Sequence, residues 1–528
     1  MVSSKGRSFW PFVLFGAILF ALTVTPHLVL GQEAKGAGAN GKEMNKFISA
    51  KECGVCHPAQ YREWAGSPHS HAALSLAFQG FMKKLVTKSG LTVREFCVRC
   101  HTPVGTTLGE KALLPLDGSP SPSNDQRAPI SLEGVTCVVC HSFDRQHGLV
   151  TGKFPVSPDF PFMGPLLGPK EAGAKPGAEG TVIADIPHKA RRFPGIQNSR
   201  LCGHCHDVLS TGLLRIEEAF SEWRNSPWAA EGVSCQDCHM SPDPGRPVPR
   251  TQWPKDYIAD SNIFPDLPKR VRTNHAFTGP DHQLIVNAAK ERLSLNDEEY
   301  KEYIDNYEKD RLRLLRNAAA LSVQHPPEVS PGSTLKVVAT VKNTFAGHQL
   351  PTGFTAERQI WLEVLLRDAK GKVLYASGDL DHNGDLRDAH SLEVEHGEVA
   401  RDKDLFNLQA KFMVRNFAGT ETENLDTVNR LLSPVPVNRP SSGLSALFGS
   451  PFGVRVSKKG IPPRSSRKAA YGIPIPEGTE GPLSLSVRLR ARHLPPHFLI
   501  SIGLGDYIDK LKILDLYSHK AEIRLVRK

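Results

Sequence analysis

All ten cysteines of this 528-residue chain lie in five C-x-x-C pairs, and a histidine directly follows each pair. Random placement of residues in a chain of this composition would produce on the order of 0.01 such motifs. The five motifs are Cys53-Cys56-His57, Cys97-Cys100-His101, Cys137-Cys140-His141, Cys202-Cys205-His206 and Cys235-Cys238-His239. No cysteine remains for a structural disulfide or for a thiol nucleophile.

This spacing is typical of covalent haem attachment. Two thiols separated by two residues can add to the two vinyl groups of one porphyrin, and the adjacent histidine then supplies an imidazole to the iron. Zinc and a disulfide framework are the alternatives, but neither requires a histidine after every pair. The sequence therefore predicts five covalently bound haem c groups.

The N-terminus has the features of an export signal. A basic start precedes an apolar run over residues 9–24, and small residues then favour cleavage before Gln32. An uncleaved membrane anchor over residues 9–30 is the alternative. Haem attachment of this kind takes place outside the bacterial cytoplasm, so residues 1–31 are interpreted as a signal peptide and the protein as periplasmic or secreted.

The net charge of +10 does not indicate nucleic-acid binding. Five haems would bring about ten ionised propionates against about five positive charges on their iron cores. The basic balance is therefore explained mainly as compensation for the cofactors, and the expected partners are redox proteins, an electron donor and an acceptor.

Part of the chain is an unequal duplication. The segment Glu-Gly-Val-(Thr/Ser)-Cys-x-x-Cys-His occurs at 133–141 and again at 231–239. A second pattern, aromatic-x-x-Trp-x-x-Ser-Pro, occurs at 61–68 and 220–227; it continues with His69 in the first copy and Trp228 in the second. A ligand position in one copy thus corresponds to an aromatic packing position in the other.

The first haem motif followed by Tyr-x-x-Trp-x-x-Ser-x-His resembles the opening of the cytochrome c-554 family of multihaem carriers. Members of that family pack haems closely and bind most irons between two histidines. The segments around three further histidines, His188, His275 and His348, are similar to ligand-bearing segments of such proteins. The resemblance therefore implies distal iron ligands at His69, His188, His275 and His348.

The fifth distal ligand stays open. His71, His147 and His282 are comparable candidates, whereas His204 lies inside an attachment loop and is expected to face outward. Met82, Met163 and Met413 are weaker candidates, because bis-histidine ligation is the family's usual pattern.

The C-terminal half contains no haem motif. Residues 294–322 predict a connecting helix, capped by Ser294 and Asp297, with arginines near its end that complement the helix dipole. Alternating apolar residues at 335–341 and 485–491, and a hairpin over 360–377, then indicate antiparallel strands. No acidic residue lies between Asp426 and Glu477, which predicts a basic loop.

The expected fold is mixed: a loop-rich, mainly α multihaem domain at 45–290, followed by the helix and a β-sandwich-like domain at 323–528. The expected function is electron relay between respiratory redox partners. The alternative is a multihaem reductase acting on nitrite, hydroxylamine or a similar small oxyanion at one open haem. A third interpretation, a subunit of a membrane-associated respiratory complex, keeps the relay role and changes only the partners.

Overall fold

The computed structural model describes residues 47–89, 92–109, 129–143, 156–159, 161–164, 182–183, 188–209, 215–281, 284, 288–415, 420–423 and 454–526. The export signal, His147, His282 and residues 427–453 of the predicted basic loop lie outside these residues. The rest of that segment is not a single loop as predicted, because Val454–Ser457 and Ser466–Pro474 are strands. Within them, no helix is both long and apolar enough to cross a bilayer.

The N-terminal half consists of short helices joined by turns, with small two- and three-stranded sheets. Its α-helices are α1 (Ala50–Cys56), α2 (Pro58–Ala65), α3 (Leu76–Ser89), α4 (Thr92–His101), α5 (Pro103–Thr107), α6 (Cys137–His141), α7 (Ala219–Arg224), α8 (Pro227–Ala230), α9 (Cys235–His239) and α10 (Ala288–Leu293). The strands are β1 (Phe162–Gly164), β2 (Val182–Ile183), β3 (Ala190–Arg192), β4 (Val208–Leu209), β5 (Arg215–Glu217), β6 (Lys255–Asp256) and β7 (Arg270–Val271).

The haem motifs lie at the ends of helices. Three of the motif histidines, His101, His141 and His239, are the last residues of α4, α6 and α9, and His57 directly follows α1. The helix α9 is begun by a capping box, in which Ser234 and Asp237 bond to each other's backbone amides. A helical turn puts both cysteines and the histidine of a motif near one another, as attachment to one porphyrin requires.

The sequence repeat is also a structural repeat. The indole Nε1 of Trp64 donates to the Val135 carbonyl at 2.9 Å, and that of Trp223 donates to the Val233 carbonyl at 2.9 Å. The amide of Val135 bonds to the carbonyl of residue 69, and that of Val233 to the carbonyl of residue 228, both at 2.9 Å. The two copies therefore hold their haem motifs with the same tertiary hydrogen bonds.

A long helix, α11 (Asp297–Ala318), joins the halves. Its cap differs from the prediction: Asn296 forms a capping box with Glu299, while Ser294 lies outside the helix with a positive φ of 53°. The helix ends at Ala318, and residues 319–322 belong to a strand rather than to the predicted helix. Arg311, one of the arginines towards the C-terminal end of this helix, is buried.

The C-terminal half contains two facing sheets, as the alternating pattern predicted. The first has the order β16–β10–β8, formed by Ser466–Pro474, Thr334–Asn343 and Ala319–Gln324. The second has the order β12–β11–β17–β18–β9, formed by Val373–Ser377, Gln359–Arg367, Leu483–Arg492, Leu514–Leu525 and Glu328–Val329. The predicted hairpin is the antiparallel pair β11–β12.

One apolar core lies between the sheets. It takes the alternate residues of β10, among them Leu335 and Val337, together with Leu362, Val364 and Leu485 from the second sheet, all fully buried. A third small sheet pairs β13 (Lys411–Arg415) with β14 (Glu421–Glu423) and β15 (Val454–Ser457). Two short helices, α12 (Leu392–Glu395) and α13 (Pro496–Ser501), complete the described part of this half.

Candidate functional site

All predicted site residues line one interior cavity of about 1830 Å³. Its wall includes every motif cysteine, every motif histidine and the four proposed distal histidines: Cys53, Cys56, Cys97, Cys100, Cys137, Cys140, Cys202, Cys205, Cys235, Cys238, His57, His69, His101, His141, His188, His206, His239, His275 and His348. The ten thiols are free. The fold thus brings the five motifs together around a single space, as groups passing electrons to one another require.

Contacts between thiols order the motifs in space. The thiols of Cys53 and Cys137 lie close enough to shift each other's pKa, so the first motif adjoins the third. Cys205 lies similarly close to Cys100, and Cys202 to Cys235, so the fourth motif adjoins both the second and the fifth. Cys140 also lies close enough to Cys202 to raise its pKa. The motifs therefore form one continuous set, with the fourth at a junction.

Backbone carbonyls orient the motif imidazoles. Nδ1 lies within hydrogen-bond distance of a carbonyl oxygen in four of the five, from 2.6 to 2.9 Å. The acceptors are Ile258 for His57, Ala72 for His101, Met163 for His141 and Thr278 for His239. Such a bond fixes the tautomer and leaves Nε2 as the nitrogen available to a metal.

Two of the predicted distal histidines are oriented in the same way. Nδ1 of His275 lies 3.0 Å from the Thr273 carbonyl, and Nδ1 of His348 lies 2.9 Å from the Gln349 carbonyl. Burial lowers the pKa of both imidazoles to about 4, so they are neutral at pH 7. Neutral imidazole is the form that binds a metal ion.

Three motif imidazoles face a distal imidazole at a common spacing. The ring centres are 6.5 Å apart for His141 and His275 and 6.3 Å apart for His239 and His348, with interplanar angles of 21° and 20°. His206 and His69 are 6.1 Å apart and inclined at 44°. An iron bound to Nε2 of both rings, at histidine–metal distances of about 2 Å, would put the ring centres about 6 Å apart. The residues present therefore fit haem irons held from both faces.

The remaining two motif histidines, His57 and His101, have different neighbours. His188 lies near His57, whose charge lowers the pKa of His188 after the larger effect of burial. The imidazole of His101 instead stacks on Phe78, with ring centres 3.7 Å apart and planes inclined by 5°. Among the described residues, no imidazole faces His101 at the spacing of the other three pairs.

The candidates for the fifth distal ligand lie in different surroundings. His71 lines the cavity, with Nδ1 3.3 Å from the Ser70 hydroxyl. The prediction that His204 faces outward is wrong: its side chain is fully buried in a 3₁₀ turn, and Nδ1 lies 3.1 Å from the Leu201 carbonyl. The sulfur of Met163 accepts a hydrogen bond from Arg191 at 3.1 Å.

The other candidate methionines also lie in different places. Met82 is buried against Phe78 and Cys97, on the side of the second motif. Met413 lies in β13 of the C-terminal half. In the described part of the chain, no cluster of three or more His, Cys, Asp or Glu side chains could hold a metal ion by itself.

A buried charged cluster in the cavity wall was not predicted. Arg358 donates to the Asp281 carboxylate at 3.0 Å, and His493 lies 3.1 Å from the same carboxylate. Burial raises the pKa of Glu217 to about 7 and that of Glu357 to about 8. The carboxylate of Asp281 also acts on the pKa of His101, which brings this cluster close to the second motif. No sequence pattern marks these residues, because they come from separate segments.

The comparisons with known proteins agree with this site. Residues 52–142 match the model of the family described as cytochrome c554 and c-prime. A pentahaem cytochrome c552 from Thermochromatium tepidum has a similar fold, with a TM-score of 0.53 and 17% identity over 90% of this chain and 99% of that one. No curated protein matches the chain. Residues 52–142 are therefore similar to this family of c-type cytochromes, the attachment motifs agree with that similarity, and the chain shares the fold of a pentahaem cytochrome.

Proposed function

We propose that this protein is an exported pentahaem cytochrome that relays electrons between redox partners. Haem irons supply one-electron exchange between the ferric and ferrous states. The observation that carries the proposal is the pairing of motif and distal imidazoles across one continuous cavity, at ring spacings of 6.1 to 6.5 Å. An iron held by imidazoles on both faces has no position left for a substrate, so this arrangement favours transfer over catalysis.

The chain's own residues have three roles in the relay. The cysteines fix each porphyrin to its motif, and the adjacency of the motifs around one cavity keeps neighbouring groups close. The imidazole pairs disfavour ligand exchange, and bis-histidine ligation lowers the reduction potential relative to a methionine ligand. The apolar cavity wall excludes water and so limits the rearrangement that accompanies each electron transfer.

Mass and spin state test the proposal together. The denatured mature protein should retain its colour and weigh as much as the polypeptide from Gln32 plus five haems. Electron paramagnetic resonance of the oxidised protein should show low-spin iron at the centres of His141, His206 and His239. A mass equal to the bare polypeptide, or high-spin iron throughout, would refute the relay. Recovery in the cytoplasmic fraction would refute export.

One observation supports a second candidate, a multihaem reductase. His101 has no facing imidazole among the described residues, and the Asp281–Arg358 pair with Glu217 and Glu357 lies near it. Neutral buried carboxylic acids beside an open iron would be suitable proton donors to a small oxyanion such as nitrite, or to hydroxylamine.

Ligand binding separates the two candidates. A reductase should show one high-spin centre in the oxidised protein, shift that signal on addition of nitrite, and turn over with a chemical reductant. The variant Glu357→Gln should then lower turnover without changing the haem content. A spectrum that is wholly low-spin and unaffected by nitrite would leave only the relay.

A further inference from the structure

The loop that carries His348 crosses from the C-terminal half into the haem cavity. It lies between β10 and β11, and its histidine ring stands parallel to that of His239. Within its own half the loop is held by Asn343, whose amide donates to the His348 carbonyl at 2.9 Å and to the Ile461 carbonyl at 3.0 Å. Leu350 and Ile461 also exchange two backbone hydrogen bonds of 3.0 Å.

The surface that receives this loop is the second copy of the internal repeat. Residue 228 makes the same backbone hydrogen bond as residue 69 in the first copy, yet it carries an indole instead of an imidazole. The Trp228 ring packs 6.2 Å from Phe345 of the loop, and the Arg464 guanidinium lies 4.1 Å above it. Where the first copy presents its own histidine, the second copy thus supports a histidine from another part of the chain.

The approach of the loop to this surface is close. A Cβ atom at Gly347 would lie 3.2 Å from Trp223 Cδ1, which is tighter than most side-chain contacts. Glycine next to His348 therefore lets the backbone rest directly on α7. Arg464 adds a bidentate ion pair with Glu231, at 2.5 and 2.6 Å, on the far side of Trp228.

One carboxylate of α7 holds the loop directly. Oε2 of Glu222 accepts from the Thr352 hydroxyl at 2.5 Å and from the Gln349 amide at 3.2 Å, one residue after His348. Lys458 lies 3.6 Å from the other oxygen, Oε1. These contacts join α7 to the segment that directly follows His348, whose Gln349 carbonyl orients the imidazole.

We propose that Glu222 is a positioning residue that fixes the His348 loop on α7 and so holds the His348 imidazole opposite His239. The proposal rests on the proposed relay function, because it assumes that His348 is an iron ligand. It assigns to the C-terminal half the role of supplying a ligand to the fifth haem. Without Glu222 the loop keeps its bonds to Asn343 and Ile461 but loses its fixed distance from His239.

Spin state provides a direct test. In Glu222→Ala, one of the five haems should change from low-spin to high-spin, or gain the ability to bind added imidazole. Glu222→Gln should keep most low-spin character, because the amide oxygen can still accept both hydrogen bonds. Glu218→Gln is the matched control: Glu218 directly precedes the same helix and pairs with Lys458, but among the described residues no hydrogen bond joins it to the loop, so its spectrum should equal wild type.

Two further variants make each result decisive. His348→Ala should reproduce the signature of Glu222→Ala, and the double variant should add nothing to it. Thr352→Val removes the loop hydroxyl that donates to Glu222. It should give a smaller change in spin state or in imidazole binding, and it tests the contact even if Glu222→Ala fails to fold.

The outcomes distinguish this proposal from the relay. If His348→Ala changes the spectrum while folded Glu222→Ala and Thr352→Val match wild type, the positioning role is wrong and the ligand assignment survives. If His348→Ala leaves the spectrum unchanged, the ligand assignment at His239 fails, and the positioning role fails with it.

Discussion

Replacing Arg311 by methionine should destabilise the haem region strongly, although the residue lies in a highly charged helix. The guanidinium is buried in α11 and donates twice to the Glu308 carboxylate, at 2.9 and 3.1 Å. It also donates to the Pro280 carbonyl at 3.0 Å. That carbonyl belongs to the segment in which Thr278 accepts the hydrogen bond from His239 Nδ1, so the helix supports the fifth motif.

The burial of the Arg311–Glu308 ion pair determines how much stability the substitution should cost. The Arg311 side chain is 1% exposed and that of Glu308 is 14% exposed. Removing one partner of a buried ion pair costs about 3–5 kcal/mol, and the lower end applies here because Glu308 keeps some contact with water. The lost hydrogen bond to the Pro280 carbonyl adds about 1 kcal/mol. We therefore expect a loss of about 4 kcal/mol in the free energy of unfolding.

Guanidinium titration of the holoprotein, followed by haem absorbance, measures this loss. Arg313→Met is the control on the same helix: its side chain is 57% exposed and pairs with Asp243 at 2.7 Å. An exposed pair contributes at most about 1 kcal/mol. Adding Glu308→Gln to Arg311→Met should restore part of the stability, because no unpaired carboxylate then remains. Equal midpoints for the two arginine variants would refute the reasoning.

Three further predictions concern stability. Lys411→Met should cost about 3 kcal/mol in the free energy of unfolding, the lower end for a buried ion pair, because the buried carboxylate of Asp388 loses its 2.8 Å contact with the ammonium but keeps His390 at 3.4 Å. The contribution of Glu357 to stability should fall as the pH rises from 4.5 towards 8, since burial raises the pKa of Glu357 to about 8 and the unfolded chain releases that proton earlier; the free energy of unfolding of wild type relative to Glu357→Gln should therefore fall over this range. Trp64→Phe and Trp223→Phe should each cost about 1 kcal/mol, measured by denaturation, because each loses one equivalent hydrogen bond.

Each of these has its own control. Lys403→Met changes an exposed lysine of the same half and should have little effect; a similar loss in both variants would contradict the ion-pair reasoning. Glu398→Gln changes an exposed acid and should leave the pH profile of wild type intact. The two tryptophan variants serve as controls for each other. Clearly unequal losses would show that this hydrogen bond does not stabilise the two copies of the repeat equally.

Local patterns were predicted well from the sequence. The alternation from Leu335 to Val341 depends only on neighbouring residues and on one buried face, so the strand β10 and its inward side followed directly. The attachment motifs are local for the same reason. The cap of α11 was misplaced by two residues because Ser294 and Asn296 are both good capping residues; Glu299, three residues after Asn296, completes the box that decides between them.

Contacts between segments that are far apart in the chain were not predictable from local patterns. The burial of Arg311 depends on a carbonyl 31 residues away, and that of His204 depends on how its 3₁₀ turn packs. Resemblance to a family suggested which histidines are distal, but not that His69 faces His206 and His275 faces His141. Such pairings are set by the packing of segments that are far apart in the chain, and a single sequence carries no local signal for them.

The two proposed histidine ligands of each iron come from different parts of the chain. Each motif ties its porphyrin to one short segment, whereas the facing imidazole comes from a different segment, and for His239 from the C-terminal half. Under the proposed ligation, every such iron would therefore cross-link two distant parts of a loop-rich region whose own apolar clusters are small. Loss of a distal histidine would then loosen the packing as well as open a coordination position. Electron transfer and stability would depend on the same contacts, because the spacing that lets electrons pass between haems is fixed by the residues that hold the segments together.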